Sequence, residues 1–94
     1  MKKVILADEQ IIKGKWLFEN DEIRKDANSM RIEWLIKNHL KWIAKDTSGW
    51  LNLYKDPDDQ RYWELQFEDS DSHGGGAPTL ICISADAVAK RYNI

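Results

Sequence analysis

Residues 48–78 read SGWLNLYKDPDDQRYWELQFEDSDSHGGGAP, and this stretch decides the fold. Two runs rich in aromatic and aliphatic side chains lie on either side of the residues 56–60, DPDDQ. Such runs around a proline-containing turn predict an antiparallel β-hairpin. A loop with a histidine and three glycines follows the hairpin, and the rest of the chain reads as scaffold.

The turn position sets the register of the hairpin. With the turn at 56–60, we expect Leu53 opposite Trp63 and Leu51 opposite Leu65. These four side chains then share one face, which Phe67 extends and which packs on a helix.

The other face of the hairpin mixes aromatic and hydrogen-bonding side chains: Trp50, Asn52, Tyr54, Tyr62, Glu64 and Gln66. Amphipathic aromatic residues beside polar groups are typical of a binding surface. The alternative is that another strand or the last helix covers this face. The composition favours neither interpretation.

A helical pattern over 29–45 predicts one long helix, capped by Asn28 or Ser29. Its apolar stripe consists of Ile32, Leu35, Ile36, His39, Leu40 and Ile43. We interpret His39 as a boundary residue with one hydrogen bond, because no local spacing supplies a catalytic partner.

The remaining segments predict a strand at 11–18, with Gly14 as a bulge or point of close approach, then a turn at Asn20-Asp21 and a strand at 22–25. A central strand at 79–84 and a short helix capped by Ser84 end the chain. The predicted fold is α+β: an antiparallel β-sheet packed on one long α-helix, with a short C-terminal helix, in a single domain over 1–94. The residues expected to be buried are Ile32, Ile36, Leu40, Ile43, Leu51, Leu53, Leu65 and Ile81.

The net charge of −2 is unevenly distributed. Residues 46–72 carry two basic and eight acidic side chains, a net charge of −6, whereas residues 1–45 carry +3. An acidic block repels nucleic acid and attracts a basic partner. One cysteine excludes an internal disulfide, and the start lacks a signal-peptide core, so a cytoplasmic protein without a membrane span is expected.

Three chemical motifs fail on inspection. The run at 73–76, HGGG, is similar to the oxyanion loop of esterases, but the chain lacks their nucleophile motif. Residues 69–74 begin like a calcium loop, but His73 and Leu80 occupy two positions that need oxygen ligands. The aspartates of the 56–60 turn lack a fixed frame for a hard cation. We therefore predict no catalytic residue, no metal site and no cofactor.

The predicted partner-binding site joins the turn, the polar hairpin face and the glycine loop. Its residues are Trp50, Tyr54, Asp56, Asp58, Asp59, Arg61, Tyr62, Glu64, His73, Gly74, Gly75 and Gly76. An alternative makes Arg61, Glu64 and His73 an internal polar network that fixes the glycine loop.

Several blocks of the chain resemble the immunity protein 27 family of bacterial polymorphic toxin systems. The blocks are G-x-W at 14–16, RIEWLI at 31–36, D-x-SGW at 46–50, LY-x-DP-x-D at 53–59, R-x-WEL at 61–65, S-x-x-HGGG-x-P at 70–78 and IS-x-x-x-x-A-x-x-Y at 83–92. The chain departs from the pattern at Gln60, where members of the family tend to have glycine.

The resemblance implies a non-catalytic inhibitor that binds a cognate toxin domain and covers its active site. A basic nuclease is one class of toxin that an acidic inhibitor fits. The free protein is expected to be a monomer or a weak homodimer. A non-inhibitory module that binds a peptide or small ligand is the alternative from another functional class, and a small hydrolase is a third.

Overall fold

The structure, a computed structural model, describes residues 4–67 and 77–94. Its helices and strands follow in chain order: β1 (Ile11–Lys13), β2 (Trp16–Glu19), β3 (Glu22–Lys25), α1 (Ala27–Asn38), β4 (Lys41–Lys45), β5 (Asn52–Lys55), β6 (Tyr62–Phe67), β7 (Pro78–Ile83) and α2 (Ala85–Tyr92). The predicted α+β class is confirmed.

Five of the strands form one antiparallel sheet in the order β1-β7-β6-β5-β4, and β2 pairs with β3 in a separate ribbon. One helix covers each face of the five-stranded sheet. On the α1 face the core contains Ile5, Ile12, Ile32, Leu35, Leu40, Trp63, Leu65 and Leu80. On the α2 face it contains Leu53, Val88 and Tyr92.

Several local predictions are confirmed. Asn20 and Asp21 both adopt positive φ angles, 50° and 63°, in the tight turn between β2 and β3. The strand β7 lies between β1 and β6, as predicted for a central strand. Ser84 caps α2 by accepting a hydrogen bond from the backbone N–H of Ala87 at 3.2 Å.

Gly14 is a point of close approach, as predicted, and it also divides the predicted strand 11–18 in two. Its N–H donates to the carbonyl oxygen of Pro78 at 2.8 Å, and a Cβ atom there would lie 2.7 Å from that oxygen and collide with Ser29 Oγ. At Gly14 the chain leaves the large sheet after β1 and enters the small ribbon at β2. Only glycine fits there, because a side chain would collide with Ser29 and Pro78.

The predicted long helix is wrong at both ends. It begins after Asp26, whose carboxylate accepts from the N–H of Ser29 at 2.7 Å, rather than after Asn28 or Ser29. It has 12 residues and ends at Asn38, and the stretch from Lys41 to Lys45 forms the edge strand β4. Aromatic and β-branched residues there suit a strand, and pairing with β5 overrides the helical spacing.

The predicted hairpin register is wrong by one residue. Leu53 pairs with Glu64 and Asn52 with Leu65, because Asp56 and Arg61 close a loop of the four residues 57–60. Leu53 therefore packs on α2, while Trp63 and Leu65 pack on α1. A shift of one residue exchanges the faces of one strand relative to the other.

Half of the predicted core residues are fully buried: Ile32, Leu40, Leu53 and Leu65. The others, Ile36, Ile43, Leu51 and Ile81, are only half-buried, so their predicted full burial is wrong. Cys82 is likewise half-buried. Neither helix in the described part of the chain is long and apolar enough to cross a membrane.

Candidate functional site

The predicted site residues lie at both ends and on both faces of the hairpin formed by β5 and β6. The acidic loop 57–60 joins the two strands at one end. Trp50 lies at the other end, in the turn between β4 and β5. Tyr54 packs beside the α1 core, whereas Tyr62 and Glu64 lie on the α2 face. The structure therefore does not bring these residues into one cluster.

The acidic loop is organised by its own carboxylates. Asp56 Oδ1 accepts from the backbone N–H of Asp58 at 2.8 Å, and Asp59 Oδ1 accepts from the N–H of Arg61 at 3.0 Å. The guanidinium of Arg61 donates to Asp59 Oδ2 at 2.6 Å. Desolvation raises the pKa of Asp59, but the hydrogen bonds and the charge of Arg61 outweigh it together and lower this pKa below its usual value. Short Asx turns of this kind fix the loop backbone.

His39 connects the acidic loop to the end of α1. Its Nε2 lies 3.0 Å from Asp56 Oδ1 and 3.5 Å from Asp58 Oδ2. Its ring is stacked on Trp34, with 6.5 Å between the centroids and 16° between the planes. The prediction of a boundary histidine with a hydrogen bond is confirmed, and its partners belong to the predicted site.

Glu64 is completely buried beneath α2. Its Oε1 accepts from Arg91 at 2.7 Å and from the side chain of Gln66 at 2.6 Å, and its Oε2 accepts from the hydroxyl of Tyr92 at 3.0 Å. Burial, and next the hydrogen bond to Glu64, raise the pKa of Tyr92, which keeps its hydroxyl protonated as the donor. The last helix thus covers the part of the predicted face that holds Tyr62 and Glu64, whereas Tyr54 lies on the α1 face, so the predicted face is not one surface.

Arg61 belongs to a different set of contacts from Glu64. It donates to the carbonyl oxygens of Glu9 at 2.6 Å and Leu6 at 2.9 Å, and its guanidinium lies 5.1 Å from the centre of the Trp63 ring. The N-terminal segment is thereby fixed against the hairpin. The predicted network of Arg61 with Glu64 is not formed, and its third member, His73, lies outside the described residues.

A second arginine fixes the same N-terminal segment. Both nitrogens at the tip of Arg31 donate to the carboxylate of Glu9, at 2.8 and 2.6 Å. These hydrogen bonds lower the pKa of Glu9 from 4.5 to about 2. The pair joins the N-terminal segment to α1.

Most acidic residues in the described part of the acidic block have partners within the protein. Asp46 accepts from the backbone N–H groups of Gly49 and Leu51 in its own turn. Asp56, Asp59 and Glu64 have the partners given above, so among the described acidic residues of the block Asp58, with a side chain 68% exposed, is the most open to solvent. Most of the described carboxylates of the block are therefore held by internal hydrogen bonds.

Two large aromatic side chains are exposed along the β4–β5 edge. Trp50 is 72% exposed and Trp42 is 56% exposed, although Trp42 Nε1 donates to Asn52 Oδ1 at 3.2 Å. Trp42 was missed as a surface residue because the sequence placed it on a helix. Lys41 and Lys45, the first and last residues of β4, are typical of a protected edge strand and were the signal available in the sequence.

The glycine-loop residues His73, Gly74, Gly75 and Gly76 lie outside the described residues. The chain leaves β6 at Phe67 and enters β7 at Pro78, which is paired with it. Both residues lie at the Trp50 end of the hairpin, opposite the acidic loop. Phe67 is itself 49% exposed.

The comparisons with known proteins gave one match. The family model described as Immunity protein 27 matches residues 18–84, which include both helix α1 and the complete β5–β6 hairpin. No curated protein and no solved structure was found to match the chain.

Proposed function

Because the chain belongs to the immunity protein 27 family, we propose that it binds a cognate toxin domain in the cytoplasm and neutralises it by covering the active site. The match over residues 18–84 is the observation that carries this proposal. The inhibitor performs no chemistry of its own in this mechanism. Its work is done by surface complementarity and by the slow release of the bound toxin.

We place the toxin on the β4–β5 edge surface, defined by Trp42, Trp50 and Asp58. Tryptophan is enriched among the residues that dominate binding energy, and both tryptophans here are more than half exposed. Trp50 and the acidic loop lie at opposite ends of β5 and are at most about 23 Å apart, from a rise of roughly 3.3 Å per residue over the intervening residues. An interface of about 800 Å² per partner is roughly 30 Å across and covers both.

The other predicted site residues have supporting positions in this proposal. Tyr54 and Tyr62 are half-buried in strands next to the surface, and Asp59 with Arg61 shapes the loop. Asp56 and Glu64 are buried and make no direct contact with the toxin in this proposal. The loop from His73 to Gly76 is included because its flanking residues lie at the Trp50 end of the sheet.

In this proposal, few exposed charges of the described chain contribute to the electrostatic attraction of the toxin. Exposed rim charges mainly accelerate association, whereas buried aromatic contacts slow dissociation. Asp58 is the exposed carboxylate of the acidic loop, so Asp58→Asn should lower the association rate and weaken its salt dependence. Trp50→Ala and Trp42→Ala should instead raise the dissociation rate.

The test begins with the toxin domain encoded next to this gene. Co-expression of the immunity protein should restore the growth of cells that produce the toxin, and surface plasmon resonance should give the rate constants of the purified pair. The matched control is Phe18→Ala in the β2–β3 ribbon, because Phe18 is 77% exposed but lies outside the proposed surface.

Two outcomes contradict the proposal at different levels. Equal dissociation rates for Trp50→Ala, Trp42→Ala and Phe18→Ala would remove the β4–β5 edge surface from the interface. Binding without protection or inhibition would favour the alternative, a non-inhibitory binding module.

A further inference from the structure

We propose that His39, Asp56 and Asp58 form a binding site for a divalent transition-metal ion, with Zn²⁺ as the ion that fits best. The site lies where the end of α1 meets the acidic loop. The inference uses the isolated protein and does not depend on the proposed function.

The donor atoms have the spacing that a small metal ion needs. One nitrogen of His39 and one carboxylate oxygen each from Asp56 and Asp58 lie within 4.8 Å of one another. Tetrahedral ligands about 2.1 Å from zinc are roughly 3.4 Å apart. His39 Nε2 lies 3.5 Å from Asp58 Oδ2 and 3.0 Å from Asp56 Oδ1, both close to this spacing.

The carboxylate of Asp56 supplies an independent observation. The residue is 1% exposed, and its Oδ2 atom has no hydrogen-bond partner within residues 4–67 and 77–94. A buried carboxylate oxygen without a partner is costly, because it has lost its water and gained nothing in exchange. A metal ion would compensate that loss only by contacting Oδ2, so we assign Oδ2, alone or together with Oδ1, as the ligand atom of Asp56.

The remaining contacts hold the site in place before any metal binds. The ring of His39 is stacked on Trp34, and Asp56 Oδ1 accepts from the backbone N–H of Asp58. Asp59 is in the same loop but is paired with Arg61 and is not a ligand. The acidic loop alone does not hold its carboxylates in a fixed arrangement for a metal ion. His39, at the end of α1, provides the additional contact that fixes Asp56.

The donor set distinguishes between classes of metal. One imidazole nitrogen and two carboxylates suit Zn²⁺ and its neighbours in the first transition series, whereas Ca²⁺ and Mg²⁺ prefer a shell of oxygen atoms. Two carboxylates neutralise the charge of a divalent ion. Three protein ligands leave a fourth position on the solvent side, next to the exposed side chain of Asp58.

The experiment is a calorimetric titration of Zn²⁺ into protein without a histidine tag, after treatment with EDTA and dialysis. We expect one Zn²⁺ per chain and a melting temperature that rises with zinc concentration, since a ligand of the native state stabilises it. Ca²⁺ and Mg²⁺ at the same concentrations should not compete.

Two variants remove ligands and two serve as matched controls. His39→Gln and Asp58→Asn should each weaken zinc binding by at least the roughly 10–100-fold that loss of a residue orienting a ligand costs. His73→Gln and Asp86→Asn make the same chemical changes elsewhere in the sequence and should bind as the unchanged protein does. If His39→Gln does not fold, Asp58→Asn decides alone, because Asp58 is largely exposed.

The inference is overturned if the unchanged protein takes up no stoichiometric zinc. It is equally overturned if Asp58→Asn binds zinc as tightly as Asp86→Asn, or if His73→Gln abolishes binding.

Discussion

Two buried carboxylates on the same hairpin have opposite surroundings. Glu64, under α2, is 0% exposed, and both of its oxygens accept hydrogen bonds, from Arg91, Gln66 and Tyr92. Asp56, at the acidic loop, is 1% exposed, but only its Oδ1 atom has partners in the described chain. The two carboxylates are equally buried, but in the described chain only Glu64 has hydrogen bonds to both of its oxygens.

This difference separates a structural role from a binding role. A buried carboxylate with all of its partners strengthens the fold and has no capacity left for a ligand. A buried carboxylate with one unpaired oxygen stabilises the fold less, and its unpaired oxygen can still bind a ligand. The pair therefore predicts that Glu64 acts through stability and Asp56 through what it binds.

The largest expected effect is that of Glu64→Gln. The amide keeps the shape of the side chain but replaces one acceptor with a donor, which faces either the donors from Arg91 and Gln66 at Oε1 or the hydroxyl of Tyr92 at Oε2. We expect a loss of about 2–4 kcal/mol in the free energy of unfolding, the range for disrupting buried charged hydrogen bonds. Urea denaturation followed by tryptophan fluorescence measures it.

A double-mutant cycle with Tyr92→Phe tests the cause. Because Tyr92 donates to the same carboxylate, the two losses should not add. Additive losses, or a loss below that of the exposed Glu22→Gln, would mean that Glu64 is not satisfied by α2.

The next largest effect is expected for Glu9→Gln. Glu9 extends the comparison to a carboxylate that is paired but only partly buried. Arg31 donates two hydrogen bonds to Glu9, and we expect their weakening to cost about 1–2 kcal/mol at pH 7. Since the pKa of Glu9 falls from 4.5 to about 2 on folding, its stabilisation is complete above pH 4.5 and is lost as pH falls towards 2.

Denaturation at several pH values checks this linkage. The difference between the unchanged protein and Glu9→Gln should shrink as the pH is lowered through this window. Glu22→Gln is the matched control, because Glu22 and Arg24 are both exposed and 3.6 Å apart. A constant difference between pH 5 and pH 2 would contradict the pairing of Glu9 with Arg31.

A smaller effect is expected for Asp56→Asn, the direct counterpart of Glu64→Gln. The amide oxygen can keep the two hydrogen bonds of Oδ1, and the amide nitrogen takes the place of the unpaired Oδ2. We therefore expect a loss below about 1 kcal/mol in EDTA. In excess zinc the difference from the unchanged protein should widen, because only the carboxylate is a strong ligand.

A loss for Asp56→Asn as large as that for Glu64→Gln, with or without zinc, would remove the contrast between the two residues. Both variants are measured by the same denaturation assay, so the comparison needs no further calibration.

Local signals in the sequence were sufficient for much of the fold. The turn at Asn20-Asp21, the strand that became β7 and the helix capped by Ser84 each depend on neighbouring residues. The end of α1 was not predictable in this way, because the spacing from Ile36 to Ile43 suits a helix while the residues 41–45 also suit a strand. Pairing with β5, a contact distant in sequence, decides between them.

The candidate site depended even more on distant contacts. The register of the hairpin rests on the bond between Asp56 and Arg61 that closes the loop, and the loop is in turn held by His39. His39 was recognised as a boundary residue, but its partners at the acidic loop could not be read from the helix pattern. The burial of Glu64 likewise follows from the docking of α2, which the sequence left as an alternative.

The smallest effect concerns the loop that carries Asp56. Gln60 has a φ of 66°, a conformation that costs a residue with a side chain roughly 1–2 kcal/mol and costs glycine nothing. Glycine loses roughly 0.5–1 kcal/mol of chain entropy, so Gln60→Gly should stabilise the protein by about half a kcal/mol. The matched control is Thr47→Gly in the β4–β5 turn, where φ is not positive and a small loss is expected. Zinc affinity should be unchanged in Gln60→Gly, because Gln60 supplies none of the three ligands. A gain in stability accompanied by weaker zinc binding would show that loop strain holds Asp56 in its position.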